Sequence, residues 1–279
     1  MVELRPMDLG EILDGAMTLY RRHFGLLLRV GVIALWLPAC LTIFIQLTGG
    51  PQQHLALWVC TAVVQYFAGL FLAAGAIRII SDSYLGQPTT LQQALGLGAS
   101  KMMPMFGVAL GKGLLLALIG IGMGVAVSLA IPGLAAGGGV AALVGGVAAF
   151  VGAAWLMIFV ACGYAVTTQV VVLEKLDAAF DSFGRSWELT RGRRGKVFLI
   201  CLVAYLIFYV PILVVSGVVA GVAGLSNPGI AKALAVFLAL LPIILTPLLS
   251  CVFTLMYYDL RIRREGFDLQ VLSQHLVPS

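Results

Sequence analysis

The chain has 279 residues, of which 61% are hydrophobic and 10% charged, with a formal net charge of +5. A soluble domain carries roughly 45–50% apolar and about 25% charged residues, so this sequence cannot cover a globule with polar surface. The composition excludes a soluble enzyme, a nucleic-acid-binding domain and a disordered tail. Length alone permits two domains, but apolar stretches recur without a long polar interval, so residues 1–279 are expected to form a single integral membrane domain.

In chain order, the first 23 residues hold Glu3, Asp8, Glu11 and Asp14, unlike the basic start and short apolar centre of a cleaved signal. They predict an interfacial helix. Asp8 and Glu11 have the capping-box spacing, and Leu9, Ile12, Leu13, Ala16 and Tyr20 share one face. A bilayer core of about 30 Å takes roughly 20 apolar residues in a helix. Six stretches meet that length, at 24–47, 55–80, 104–131, 139–167, 197–224 and 231–256. Unbroken apolar runs are helices rather than the alternating strands of a barrel. The fourth is the least well bounded, because mostly apolar sequence runs for 34 residues from Gly139 to Val172. Pro38, Pro211, Pro242 and Pro247 are predicted kink points.

A second amphipathic segment precedes the third stretch, and a third begins near Asp177. There Asp177 is the predicted cap, and Phe180, Phe183 and Trp187 form an aromatic stripe opposite Asp181, Arg185 and Glu188, with Asp181 and Arg185 at pairing distance. The run from Tyr257 to Gly266 continues the sixth helix as the start of a cytoplasmic tail, 257–279. It carries Asp259 with Arg263 and Arg261 with Glu265 at i,i+4, and Gly266 where the helix can end.

Charge then orients the helices. The N-terminal side holds 16 of the 17 Lys and Arg and all 12 Asp and Glu, and only Lys232 lies opposite. By the positive-inside rule that side is cytoplasmic, with both termini inside. The opposite connections, 48–54, 132–138 and 225–230, are short and read as tight turns. The expected fold is an all-α polytopic membrane bundle of six transmembrane helices in three hairpins, each preceded by a cytoplasmic-side amphipathic helix. An offset of 82 places Pro6 on Pro88, Leu9 on Leu91, Leu13 on Leu95, Phe24 on Phe106, Gly25 on Gly107, Leu28 on Leu110 and Gly31 on Gly113. Parallel duplication and three independent hairpins are both compatible with these matches.

Among polar residues, Lys112 is a candidate intramembrane site, since an ionisable group within a span is a functional candidate by default. It lies 19 residues from Ile131, about 28 Å of helix, so snorkelling to the cytoplasmic edge is the favoured reading, as for Arg29. Gln46, Gln65, Ser128, Thr167, Thr168 and Gln169 are expected to bond between helices. Gly107, Gly111, Gly120, Gly124, Gly145, Gly146 and Gly152 predict close helix packing. Cys40, Cys60, Cys162, Cys201 and Cys251 fall in spans without a CxxC pair, and His23, His54 and His275 are scattered, so no catalytic residues, cofactor or metal site are expected. Arg21, Arg22, Arg185, Arg191, Arg193, Arg194, Lys196, Arg261, Arg263 and Arg264 are candidate contacts for a partner or for anionic headgroups of the cytoplasmic leaflet.

Three passages carry a family resemblance: Arg5-Pro6-Met7-Asp8-Leu9-Gly10-Glu11-Ile12-Leu13-Asp14, then Val172-Leu173-Glu174 with Arg185-Ser186-Trp187-Glu188-Leu189-Thr190, and Tyr257-Tyr258-Asp259-Leu260-Arg261. The chain resembles the bacterial membrane-protein family named after the membrane domain fused to some glycerophosphodiester phosphodiesterases. That resemblance implies a six-helix inner-membrane module. The phosphodiesterase activity belongs to a separate soluble domain that is not expected here. The expected function is a non-enzymatic scaffold or subunit of a bacterial inner-membrane complex, with membrane lipids, copies of itself or other membrane subunits as partners and no nucleic acid. A transporter, channel or lipid-translocating protein with a neutral pathway between hairpins is the alternative.

Overall fold

The computed structural model describes residues 5–50, 52–135, 139–224 and 228–266. Parts of the three predicted turns, the tail from 267 and His275 lie outside the described residues. The described chain is helical: α1 (Leu9–Arg22), α2 (Phe24–Leu47), α3 (Leu55–Tyr84), α4 (Leu91–Ala135), α5 (Gly139–Gly163), α6 (Thr167–Leu173), α7 (Asp181–Thr190), α8 (Arg194–Gly224) and α9 (Pro228–Glu265). Six of these segments are long and apolar enough to cross a bilayer.

Burial is inverted relative to a soluble protein. Trp36, Trp155 and Leu213 are 56%, 64% and 66% exposed, as befits a surface whose solvent is hydrocarbon. The buried core is concentrated where α9 packs on α1, α2, α3 and α8. Its largest members include Tyr257, Met256, Leu255, Ile12 and Ile80. In α1, Ile12, Ala16 and Tyr20 are buried while Asp14, Arg21 and Arg22 are exposed, so one face of the helix packs on the bundle.

Three local expectations meet different outcomes. The Glu11 carboxylate accepts from the Asp8 N–H at 2.8 Å, satisfying one of the donors a helix start leaves free. The amphipathic run before the third stretch is not a separate helix, because α4 is continuous from Leu91. The 82-residue offset therefore aligns the helix starts Leu9 and Leu91, but the break at His23 has no counterpart in α4. In the third segment α7 starts at Asp181 rather than at Asp177, and Asp181 accepts from the Ala178 N–H at 3.0 Å.

Helices α2, α8 and α9 run through their prolines. Ser128 and Thr167 donate to carbonyls of their own segments, Val125 and Tyr164, because a hydroxyl in a helix reaches the carbonyl three or four residues back more easily than a neighbouring helix. Among the glycines of α4 and α5 singled out by spacing, a Cβ at Gly111 would lie 3.3 Å from the Phe180 and Phe183 rings and one at Gly120 3.7 Å from Met157. Nothing lies within 4 Å of a Cβ built at Gly124, Gly145 or Gly152. At Gly31, by contrast, a Cβ would sit 2.9 Å from the Ile243 carbonyl oxygen on α9.

Gly31→Val is therefore expected to destabilise the protein by about 1–3 kcal/mol through overpacking against fixed backbone. Gly25→Val, where a Cβ meets nothing within 4 Å, should leave the thermal midpoint in detergent nearly unchanged. Equal midpoints for both variants would contradict the close approach.

Candidate functional site

The polar chemistry gathers at one end of the bundle, around the last turns of α9. Asp259 is fully buried. Its Oδ1 accepts from the Met7 N–H at 2.8 Å and from Arg263 Nε at 2.9 Å, and its Oδ2 accepts from Lys196 Nζ at 2.6 Å. Lys196 also donates to the Met7 carbonyl, as does Arg263 Nη2 at 2.9 Å. One carboxylate thus joins the N-terminal segment, α8 and α9. A buried charge persists only when paired and hydrogen-bonded, and here both requirements are met.

A second cluster surrounds Glu174, just after α6. Its Oε2 accepts from Arg185 Nε at 2.9 Å and its Oε1 from the Tyr257 hydroxyl at 2.8 Å. Arg185 also pairs with Glu265, which holds Arg261 Nε at 3.1 Å. Burial favours the neutral form of Arg185, but the hydrogen bond and charge of Glu174, joined by Glu265, outweigh it and raise its pKa. Arg185 therefore does not form the i,i+4 pair with Asp181; the two carboxylates behind it attract it inward. A third cluster ends α3: Asp82 accepts from Arg78 and Thr89, each at 2.8 Å, and the Ser81 and Tyr258 hydroxyls lie 2.6 Å apart. Beside it His23 Nε2 is 2.6 Å from Ser83 Oγ.

The predicted cationic set is accordingly divided. Arg185 and Lys196 pair with carboxylates on other parts of the chain, and Arg261 and Arg263 with Glu265 and Asp259 one turn away on α9. The Arg194 guanidinium lies over the rings of Phe159 and Trp187, at 3.9 and 3.8 Å, a cation–π arrangement. Arg21, Arg22, Arg191, Arg193 and Arg264 are exposed, as is Arg29.

The fourth span contains a feature that periodicity does not reveal. Helix α5 stops at Gly163 and α6 begins at Thr167, so the turn at 164–166 frees two carbonyls. The Gly163 oxygen accepts from Ser186 Oγ at 2.9 Å and Thr190 Oγ1 at 3.2 Å. The Tyr164 oxygen accepts from Lys112 Nζ at 3.1 Å and Thr167 Oγ1 at 2.8 Å. Helix α7 covers the break. Ser182, Ser186 and Thr190, four residues apart, are fully buried, and the Trp187 ring is packed so tightly on Gly163 that a Cβ there would overlap it. Phe183 and Trp187 lie 5.1 and 5.3 Å from the Tyr164 ring, so the aromatic stripe packs on the bundle. Lys112 borders a cavity of about 330 Å³ between α3, α4 and α6. A second cavity of about 340 Å³, between α2 and α3, is lined by neutral residues including Thr42, Gln65 and Tyr66. Among the described residues no three His, Cys, Asp or Glu side chains converge as a metal site.

Sequence reasoning missed the Met7 backbone, Tyr257 and the break itself. The signals were present as the excess length of the fourth stretch, its internal Gly163-Tyr164 and Thr167-Thr168 pairs, and the Ser182, Ser186, Thr190 spacing.

Asp259→Ala leaves Lys196 and Arg263 facing an empty site and is expected to cost about 3–5 kcal/mol, read as lowered resistance to denaturation in detergent. The exposed Asp14→Ala should stay within about 0.5 kcal/mol of wild type. Comparable losses would remove the clamp from its central place. Burial, with repulsion from Arg22, lowers the His23 pKa, so the folded protein favours the neutral ring. That contribution is full above a pH of about 6.5 and is lost as pH falls through the lowered folded-state value. Wild type should therefore lose stability more steeply than His23→Gln between pH 7.5 and 5; parallel curves would refute the linkage.

No curated protein and no solved structure matches the chain. One family model does, over residues 7–260, and it carries a different name from the family the three landmark passages resemble. The matched region opens on Met7 and closes one residue beyond Asp259, and so contains both ends of the buried clamp. The chain belongs to the family described as a domain of unknown function, DUF7847.

Proposed function

We propose that this chain is a non-enzymatic multi-pass protein of the bacterial cytoplasmic membrane, acting as a scaffold or subunit of a membrane complex. The observation that carries the reading is the engagement of Glu174, Asp259 and Glu265 in ion pairs that tie α7 to the residue after α6 and to α9, and α8 to α9, while Asp259 also accepts from the Met7 N–H and Asp82 pairs within α3. A carboxylate held by two or three fixed donors fastens helices together and is poorly placed to shuttle protons. In this reading three hairpins stand with their polar ends in the cytosol and both termini inside, while α1 and α7 lie at that boundary.

The exposed Arg21, Arg22, Arg191, Arg193 and Arg264 then face anionic headgroups, at about 1 kcal/mol per basic residue, or an acidic partner surface. Kinship with the phosphodiesterase-associated membrane family belongs to the same proposal. Its landmark passages supply Met7 and Asp259 of the clamp and Glu174, Arg185 and Tyr257 of the second cluster. The cavity beside Lys112 is what a transport reading would draw on.

Cross-linking in native membranes tests the scaffold. Wild type should give discrete higher-mass species that weaken several-fold when Arg191, Arg193 and Arg264 are all changed to Gln. An unchanged pattern, or solute flux through the purified protein in liposomes, would count against it.

A further inference from the structure

We infer that the cavity beside Lys112 binds a phosphate-bearing anion, with the headgroup of an anionic phospholipid as the occupant its walls favour. This goes beyond the scaffold reading and does not rest on it. A lysine ammonium carries three donors, and among the described residues one is engaged, by the Tyr164 carbonyl at 3.1 Å. No acid among the described residues forms an ion pair with Lys112, although Asp82, Glu174, Asp259 and Glu265 are all paired elsewhere. An ammonium withdrawn from water without a counter-charge is costly, and a carbonyl dipole compensates it only in part. The chain matches its other inward cations with carboxylates or aromatic faces and leaves this one to an external anion.

The cavity has the chemistry such an anion needs. Its volume of about 330 Å³ is at the small end of ligand sites, enough for a headgroup and the start of its acyl chains. Thr168 brings a hydroxyl, that of Thr167 being given to the Tyr164 carbonyl, while Leu70, Val108 and Leu116 supply apolar wall. Lysine is a point-charge phosphate ligand. Depth agrees as well. On the span expected from the sequence, ending at Ile131, Lys112 is 19 residues in, about 28 Å of helix against a hydrocarbon core of about 30 Å, which would set it near the phosphates of one leaflet.

The test separates ligand binding from a purely structural bond to the broken helix, and a lipid from a free ion. Protein in detergent is titrated with dioleoylphosphatidylglycerol or dioleoylphosphatidylcholine and read by native mass spectrometry. Wild type should retain one phosphatidylglycerol at least about 10-fold more tightly than phosphatidylcholine, the equivalent of about 1.4 kcal/mol, and Lys112→Met should abolish that preference. Gly113→Leu keeps the charge and fills the cavity from a position where a Cβ meets nothing within 4 Å. It should weaken the adduct with an unchanged melting temperature, and it decides the matter if Lys112→Met does not fold. Arg21→Gln with Arg22→Gln should preserve the preference. In a parallel arm, inorganic phosphate that stabilises wild type but not Lys112→Met, with no lipid preference, would keep the anion site and assign it to a soluble phosphate. Retention of the phosphatidylglycerol preference in both cavity variants, or no response to either probe, overturns the inference.

Discussion

A carboxylate shut away from water persists only beside matched donors, and Asp259 imposes that condition where α8, α9 and the N-terminal segment meet. Its geometry dictates much of the packing around it. Lys196 must face inward from the first turn of α8, Arg263 must lie one turn beyond Asp259, and the backbone of Met7 must present both its N–H and its carbonyl to the same point. Since Met7 takes part through backbone atoms, the position of the segment matters there and its side chain does not. A buried ion pair is not stabilising by default, because hydrophobic replacements of similar volume often do as well. What it enforces is register: sliding α9 by one residue would turn Asp259 away from Lys196 and strand both charges. The greasy outer faces of α2, α4 and α8 carry no comparable constraint, because lipid accepts any of their rotations.

The interruption of the fourth span poses the same problem with backbone atoms. A turn within a membrane helix exposes carbonyls that hydrocarbon cannot satisfy, and the protein answers with side chains from elsewhere. Ser186 and Thr190 reach the Gly163 oxygen from α7, while Lys112 reaches the Tyr164 oxygen from α4. Gly163 is required because the Trp187 ring occupies the space a Cβ would fill. Helix α7 then links the break to the charged end, since Arg185 on the same ten-residue helix holds Glu174 and Glu265. A short helix that looks like an interfacial anchor thus closes one defect with its small polar face and fastens two other helices with its charged one.

The elements that were legible in the sequence are those governed by bulk transfer energetics. Twenty or more apolar residues must span hydrocarbon as helix, so α2 at Phe24–Leu47 follows from composition alone. The i,i+4 pairs of α9, Asp259 with Arg263 and Arg261 with Glu265, were legible because helix geometry is local. The partner of Arg185 was not: Asp181 is near in sequence, but Glu174 and Glu265 become neighbours only after α6, α7 and α9 pack. The glycines show the same limit. Spacing marks where close approach is permitted, whereas Gly31 and Gly163 are tight because Ile243 and Trp187 arrive from distant parts of the chain.

A net charge counts residues, and a binding surface counts those left without a partner. The positively charged end is therefore less cationic than its composition, since Arg185, Lys196, Arg261 and Arg263 are neutralised where they stand, and Arg194 faces two aromatic rings. The field that reaches outward comes from a smaller set at the end of α1, the α7–α8 connection and the end of α9. Lys112 belongs to neither group. It is turned inward like the paired cations, yet beside a carbonyl and a cavity rather than a carboxylate. Among the inward cations, it is the one whose charge balance the described residues do not supply by an ion pair or an aromatic face, and that imbalance is what gives the cavity beside it a chemical preference.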